Sequence, residues 1–530
     1  MADTAHGPAP QLVELTIDGK PYKAARGANL LDVMLASGID ISYFCYHPGL
    51  SVVAVCRQCL VELRGNPKLV PACQTPITPG MAVTASSDRV LAARRQMLEF
   101  TLLNHPVDCP ICDKAGECSL QKLYMEWDAK GSRLDHAKVH KPKRVELGPR
   151  VMLDAERCIL CTRCVRFCAE VAKSPQLVMA KRGNRQVLTV APGTWLDNAY
   201  SLNTVDICPV GALTDRDFRF QIRVWQLTAT PSVCNGCATG CKCEVHHHKG
   251  RIYRLVPRRF RDVNLNWMCD YGRYTYKAQA ASRLSLPRLA GRETSWDEAL
   301  GHAASKLGAL RESPASIGVV LGADVTNEDN FVAARIALDY LKLDHVYLAA
   351  EPDHDAGDEI LRSSDPNPNK AGAIACARGK IRSSADLGRD LLEGKLKALY
   401  VVGDVLHLPV EALESAAALE LLAVQATHPS AVTGKAHVVL PACAWQEVDG
   451  TITNRKGEVQ RLRAAVQPPG AARPHGQILM QVARRLGMTL EYASVRALFD
   501  AMREEVDFFA EASWGREMAP MLLRFAGSRG

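Results

Sequence analysis

Fifteen of the nineteen cysteines, with one histidine, sort into four groups whose spacing suits metal ligation. Thiols two to five residues apart in a reducing compartment read as ligands rather than as bridge partners. The first group is Cys45, Cys56, Cys59 and Cys73, with ten, two and thirteen residues between them. Three thiolates from one loop and a fourth from farther along suit a two-iron cluster, although a paired CxxC with two more cysteines also serves zinc. The second group is His105, Cys109, Cys112 and Cys118. Alone it fits structural zinc as readily as iron and sulfide. Its position between two other cluster sets favours a four-iron cluster, whose net negative charge a neutral imidazole would reduce.

The third group is Cys158, Cys161 and Cys164, with paired two-residue gaps, completed by Cys208-Pro209. That triplet has the four-iron spacing of bacterial ferredoxins. Cys168 extends the run, but Ala169 stands where proline is usual and no partner triplet lies in this stretch, so Cys168 reads as a buried thiol. The fourth group is Cys234, Cys237 and Cys241, closed by Cys269 after twenty-seven residues. Unequal gaps and a remote fourth ligand favour a cubane over a zinc ribbon. Cys243 would share a strand face with Cys241 and sit too far along to ligate. Cys376 and Cys443 stand alone in apolar surroundings and read as core. His246-His-His248, ahead of Lys249-Gly250, reads as a solvated hairpin end.

Positioning elements are legible around these groups. Alternation over Leu12–Ile17, the Asp18-Gly19 turn and the apolar spacing of Leu30–Leu35 predict a hairpin and then a helix, placed as in a ferredoxin-type β-grasp domain. Residues 88–105 have helical periodicity. Beyond residue 284, Ser295-Trp-Asp-Glu298 forms a capping box. Ile317–Gly322 and Leu399–Gly403 are apolar runs ending in glycine beside helical segments, the pattern of buried parallel strands. The Ala-rich stretch 411–427 reads as a good helix former.

Composition excludes several classes. At 530 residues the chain should form three or more domains. Apolar content of 47% and charged content of 23% are ordinary for globular protein. No stretch of about 18 apolar residues reads as membrane-spanning, and no secretory signal is expected from the first residues. The net charge of +8 is spread along the chain, without the dense basic face that nucleic acid would need. No Gly-rich dinucleotide fingerprint follows a strand, and no nucleophile–base pair stands out, so no flavin or nicotinamide site and no independent active site are expected.

The order of these sets resembles the large iron–sulfur subunit of respiratory NADH:quinone oxidoreductase (complex I), the 75 kDa or G-type family, over nearly the whole chain. Arg157-Cys-Ile-Leu-Cys-Thr-Arg-Cys-Val-Arg-Phe167 and Cys208-Pro-Val-Gly-Ala-Leu213 carry the likeness most closely. The resemblance implies a two-iron cluster on Cys45, Cys56, Cys59 and Cys73. It implies a histidine-ligated four-iron cluster on His105, Cys109, Cys112 and Cys118, and another on Cys158, Cys161, Cys164 and Cys208. A fourth, off the main relay, would sit on Cys234, Cys237, Cys241 and Cys269. The tail, with Ala436-His-Val-Val-Leu-Pro-Ala442 and Glu447-Val-Asp-Gly-Thr-Ile-Thr-Asn454, resembles molybdopterin oxidoreductases but is short, implying a scaffold without pterin or molybdenum.

The implied fold is multidomain, α+β and α/β. Residues 1–88 would form the β-grasp domain, 89–130 the histidine-ligated domain and 131–226 a ferredoxin-like domain. A molybdopterin-oxidoreductase-type cluster domain would span 227–283, and a truncated α/β region 284–530. Implied partners are the flavin-bearing NADH-oxidising subunit, a two-iron subunit, a ferredoxin-like two-cluster subunit and the quinone-site subunits. No nucleic acid is expected, and membrane contact, on the cytoplasmic face, would come only through partners. An iron–sulfur subunit of an NAD-linked formate dehydrogenase or hydrogenase is the alternative; the longer pterin domain or extra cysteine domain that those would need is not seen in the sequence.

Overall fold

The computed structural model describes residues 11–128, 131–515 and 521–522. It divides into two compact units, one running through Gln226 and the other spanning Leu227–Leu522.

In the first unit, β1 (Leu12–Ile17) turns at Asp18-Gly19 into β2 (Lys20–Ala25). Both turn residues have left-handed backbones, φ 47° and 76°, as a two-residue hairpin turn requires. Val13, Leu15 and Ile17 point into the core with Leu30, Leu31 and Met34 of α1 (Leu30–Ala36), which Asn29 caps. β3 (Leu60–Leu63), β4 (Val70–Pro71) and β5 (Met81–Thr84) complete a sheet in the order β2-β1-β5-β3-β4, with β1 and β5 parallel. That mixed sheet with its helix is the β-grasp that the alternation and turn predict. The 88–105 periodicity becomes α2 (Asp88–Leu102), started by the Ser87 cap.

Shorter elements carry the rest of this unit: α3 (Ser119–Leu123), β6 (Val145–Glu146), β7 (Val151–Leu153), α4 (Arg163–Glu170), β8 (Leu177–Ala180), β9 (Val187–Val190), α5 (Asn203–Asp206) and β10 (Leu213–Asp215). Strands β10, β7 and β6 pair in that order. This pairing brings the end of the Cys208–Leu213 segment back beside the strand that leads to Cys158.

In the second unit, β11 (Thr228–Val233), β12 (Lys242–His248) and β13 (Arg251–Pro257) form an antiparallel sheet, with Met521–Leu522 pairing β11. Short helices α6 (Asp270–Arg273) and α7 (Thr275–Ala280) lead to β14 (Arg288–Leu289) and β15 (Arg292–Glu293). Then come α8 (Trp296–Ala309), capped by Ser295, β16 (Ile317–Gly322), α9 (Asn327–Ala334), β17 (Val346–Ala349), α10 (Lys370–Cys376), β18 (Ile381–Arg382), α11 (Ser384–Leu392), β19 (Ala398–Val402), α12 (Val410–Ala417), β20 (Leu421–Ala426), α13 (Ala431–Lys435) and β21 (Val438–Pro441). The eight strands order as β15-β14-β21-β20-β19-β16-β17-β18, parallel from β21 to β18. A hairpin of β22 (Gly450–Thr453) and β23 (Val459–Leu462), then α14 (His475–Arg485) and α15 (Val495–Glu505), complete the unit.

Alternate strand residues feed two cores. Val319, Leu321, Tyr400 and Ala423 face α8, α9, α10, α14 and α15, whereas Val320, Val401 and Val424 face α11, α12 and α13. Burial on both faces is why these strands read as continuous apolar runs. The same physics corrects one expectation: the helix in the 411–427 stretch stops at Ala417, and Leu421–Ala426 is a fully buried strand. Alanine's helix preference is outweighed there by burial between neighbours on both sides. A second correction concerns the histidine run. The hairpin and its Lys249-Gly250 turn are as expected, but His246 is buried, 3% exposed, and its Nδ1 accepts from Arg254 Nε at 3.0 Å. Among the described residues, no helix is long and apolar enough to cross a membrane.

Candidate iron–sulfur sites

The first set lies between α1 and the far edge of the β-grasp sheet. Cys45 and Cys56 come from the long loop, Cys59 immediately precedes β3, and Cys73 sits in a short turn after β4. Ala54 and Arg57 adopt left-handed backbones, φ 50° and 51°, which curl the loop around Cys56. Backbone amides of Phe44 and Cys45 donate to Cys56 Sγ at 3.5 Å each. Cys45 neighbours Cys56 and Cys73, whose contacts hold its thiol well below its usual range, and a contact from Cys73 lowers the Cys59 thiol. The buried Arg94 guanidinium fixes the strand beside Cys59 by donating to Leu60 O from Nε at 3.0 Å and Nη2 at 2.8 Å.

His105, Cys109, Cys112 and Cys118 line one small cavity of about 20 Å³ together with Gly211. Burial, reinforced by the nearby Arg157, pulls His105 down to about 4, so its imidazole is neutral at pH 7. Its Nδ1 is buried without a hydrogen-bond partner among the described residues. A buried, neutral, orphaned ring nitrogen beside three thiols is a donor set awaiting an acceptor. Burial raises all three thiols, Cys118 to about 12. Metal binding would release those protons.

The third set surrounds the start of α4. Leu160 and Thr162, flanking Cys161, both have left-handed backbones, φ 56° and 61°. Each costs about 1–2 kcal/mol, and such local strain clusters at functional loops. Burial pushes Cys158 to about 12 and Cys161 to about 11 and raises Cys164, and the neighbouring Cys208 adds to the rise in all three. Cys168 lies within α4, fully buried, and burial alone raises it to about 12.

In the second unit, Cys234, Cys237, Cys241 and Cys269 are all buried. Gly236 N and Gly272 N donate to Cys234 Sγ and Cys269 Sγ at 3.4 and 3.3 Å. The loop is braced by its own α/β surroundings through Thr239 Oγ1 to Leu361 O at 2.7 Å and Gln460 Nε2 to Gly240 O at 2.9 Å. Cys243 pairs with Ser232 inside the sheet, fully buried. Cys376 and Cys443 are buried as expected of core residues.

Among the described residues, no group of three or more His, Cys, Asp or Glu side chains is disposed to hold a metal ion. Fit to a multi-iron cluster therefore turns on donor chemistry, which fifteen thiols and one imidazole in four groups favour. Side chains are absent where sulfur must sit: a Cβ on Gly211 would fall 2.4 Å from Cys112 Sγ, and one on Gly272 would fall 2.9 Å from Cys234 Sγ. Neither glycine was singled out by cysteine spacing, although Gly211 stands inside the Cys208–Leu213 motif.

Comparison with known proteins gives the same order of parts. A 2Fe-2S iron-sulfur cluster binding domain matches residues 11–88, an NADH-ubiquinone oxidoreductase-G iron-sulfur binding region 94–133, and an NADH-quinone oxidoreductase subunit 3 ferredoxin-like domain 148–214. A molybdopterin oxidoreductase Fe4S4 domain matches 227–280 and a molybdopterin oxidoreductase family 367–485. The chain is 38% identical to the G-type NADH-quinone oxidoreductase subunit of Streptomyces coelicolor over 372 residues, covering 68% of this chain and 44% of that one. It is 34% identical to a mitochondrial NADH dehydrogenase iron-sulfur protein 1 of Solanum tuberosum, over 74% of this chain and 54% of the other. Identity to the 78 kDa subunit of Neurospora crassa is 29%, over 95% and 84%. An NAD+-reducing [NiFe]-hydrogenase structure is similar at 31% identity with TM-score 0.37, over 40% of this chain and 91% of the other. The chain thus spans about half the length of several curated relatives. By its two-iron domain, its four-iron binding regions and these relatives, the chain belongs to the G-type, or 75 kDa, iron–sulfur subunit family of NADH-quinone oxidoreductase.

Proposed function

We propose that this chain is the iron–sulfur electron-transfer subunit in the peripheral arm of a proton-pumping NADH:quinone oxidoreductase, relaying single electrons from a flavin-bearing subunit toward quinone. The observation that carries the reading is the small cavity where the neutral His105, with its orphaned Nδ1, meets Cys109, Cys112 and Cys118. Cys45, Cys56, Cys59 and Cys73 would hold one [2Fe-2S] cluster. Three [4Fe-4S] clusters would be held by His105, Cys109, Cys112 and Cys118, by Cys158, Cys161, Cys164 and Cys208, and by Cys234, Cys237, Cys241 and Cys269. When bound, such clusters take up and give back one electron at a time.

The protein's own part is to bury the ligands, exclude water and set local charge. Most ligand cysteines are buried, and each of the first three sets has a buried or nearly buried arginine beside it: Arg94, Arg157 and Arg166. The domain boundaries set out from the sequence are retained in this proposal, with the α/β region holding no pterin. Partners would be the flavin, two-iron, ferredoxin-like and quinone-site subunits, on the cytoplasmic face of the membrane. The test is iron, zinc and acid-labile sulfide analysis of anaerobically purified protein, with a reduced-state paramagnetic resonance spectrum. Two-iron and four-iron signals matching the iron content are expected; sulfide-free protein holding only zinc would refute the reading.

A further inference from the structure

Arg166 lies on α4, 8% exposed, between the loops of two different cysteine sets. Its Nη2 donates to Cys45 O at 2.5 Å, in the first set, and to Cys161 O at 3.4 Å, in the third. Nη1 donates to Ser51 O, and Nε to Thr162 Oγ1 at 3.3 Å. One turn along the same helix, Glu170 accepts from Ser51 N at 2.8 Å and from Ser51 Oγ. The 45–51 segment is thus gripped by two side chains of the helix that itself carries Cys164. Arg163, on that helix, repeats the pattern: Nη1 donates to Ile207 O at 3.0 Å, next to Cys208, and the guanidinium lies 5.8 Å from the Tyr43 ring, two residues before Cys45.

A planar guanidinium presents its donors in fixed directions and so holds carbonyls of two loops at a set spacing, whereas a lysine ammonium is a compact point charge on a flexible stem. Burying that charge is unfavourable, so it must be offset locally. Burial does lower the Arg166 pKa, and Cys45, Cys161 and Glu170 are the groups whose negative charge opposes the fall. A guanidinium remains charged under all ordinary conditions.

We propose that Arg166 is a positioning residue for electron transfer between the first and third sets: one guanidinium fixes the spacing of both ligand loops and places a shared positive charge between them. Clusters held by the two sets would exchange a single electron, one oxidised as the other is reduced, with no bond made or broken. The charge favours the reduced, more negative form of each, so removing it should make both harder to reduce. This rests on the proposed reading of both sets as cluster ligands.

The test uses the full chain purified anaerobically with its partners, titrated reductively and followed by paramagnetic resonance. In Arg166→Met, the reduction equilibria of the first and third sets are expected to shift together about tenfold, about 59 mV for a one-electron couple, while the second set does not move. Arg166→Lys, which keeps the charge but loses the fork, should return both potentials toward the parent values and leave the spin–spin broadening between the two signals altered. Movement of one potential alone, or of neither, in a Met variant that retains both signals overturns the proposal. If the Met variant takes up neither cluster, the Lys variant decides: broadening equal to the parent's overturns it, and altered broadening at parent potentials supports it. A parent protein lacking both signals instead removes the cluster reading itself.

Discussion

Alanine at Gly211 should disable the second set although the residue follows Cys208 of the third. A Cβ there would stand 2.4 Å from Cys112 Sγ, 3.2 Å from Lys114 Cβ and 3.4 Å from Arg157 Cδ. Ordinary contact between such atoms begins at about 3.5 Å, so roughly 1 Å of overlap has to be relieved. Arg157 gives little, since Nη2 bonds Asp108 at 2.8 Å and Nη1 pairs with Asp154 at 2.9 Å, and its side chain is only 6% exposed. Cys112 is the atom that must move. Overpacking of this kind costs about 1–3 kcal/mol, and each 1.4 kcal/mol is about tenfold in an equilibrium. The arrangement competent to take up the cluster should therefore fall in population about 5- to 150-fold. The assay is the reduced-state resonance spectrum of Gly211→Ala beside iron content, with Gly301→Ala as control. Gly301 lies within α8 with nothing within 4 Å of a new Cβ, so alanine there should be neutral or stabilising by about 0.5–1 kcal/mol. We expect loss or displacement of one four-iron signal while the two-iron signal stays. A Gly211→Ala spectrum identical to the parent, at equal iron content, would refute the steric reasoning.

Three further outcomes are expected. Cys208→Ser should remove one four-iron signal selectively, because this remote cysteine is the electrostatic neighbour of Cys158, Cys161 and Cys164; an unchanged set of signals counts against the grouping. Arg283→Met should lower the thermal midpoint of the second unit sharply. Arg283 meets the Glu447 carboxylate with both terminal nitrogens, at 2.6 and 2.8 Å, both side chains are under a tenth exposed, and breaking such a pair costs about 3–5 kcal/mol. A midpoint shift within error would show the pair to be dispensable. Glu328→Gln should flatten the dependence of stability on pH. Burial raises Glu328 to about 8, so the folded state binds a proton that the unfolded state releases, and stability falls as pH rises from about 4.5 to about 8. Melting curves at pH 5 and pH 8 that differ as much in the variant as in the parent would contradict this.

How far the sequence reveals this molecule depends on the range over which each signal acts. Hairpin β1–β2, helix α1 and strands β16 and β19 are encoded by local alternation, turn residues and uninterrupted apolar runs, and they stand where those patterns put them. Leu421–Ala426 was hidden because an alanine-rich stretch looks helical until one knows that both of its faces are covered. His246 looks solvated in the sequence for a related reason: only the fold places Arg254 beside it. Cysteine spacing proposes which sulfurs can meet, since gaps of two and three residues are themselves geometric statements. It says nothing about what keeps separate loops at their distance.

Residues standing between the candidate ligands hold those loops at their distance. Arg157 precedes Cys158 in sequence yet bonds Asp108, the neighbour of Cys109. Arg166 follows Cys164 yet bonds Cys45 O. Gly211 follows Cys208 yet faces Cys112. In each case a residue within three positions of a third-set cysteine reaches the loop of another set. Two short segments, 157–167 and 208–213, therefore hold both the thiols of one set and the contacts that register it against the other two. A cluster could tolerate conservative change at any of these three positions if the sets were independent. Because each position serves two sets at once, a substitution there should be read out at a centre other than the nearest one, and the non-ligand residues of these motifs carry information that cysteine spacing alone does not.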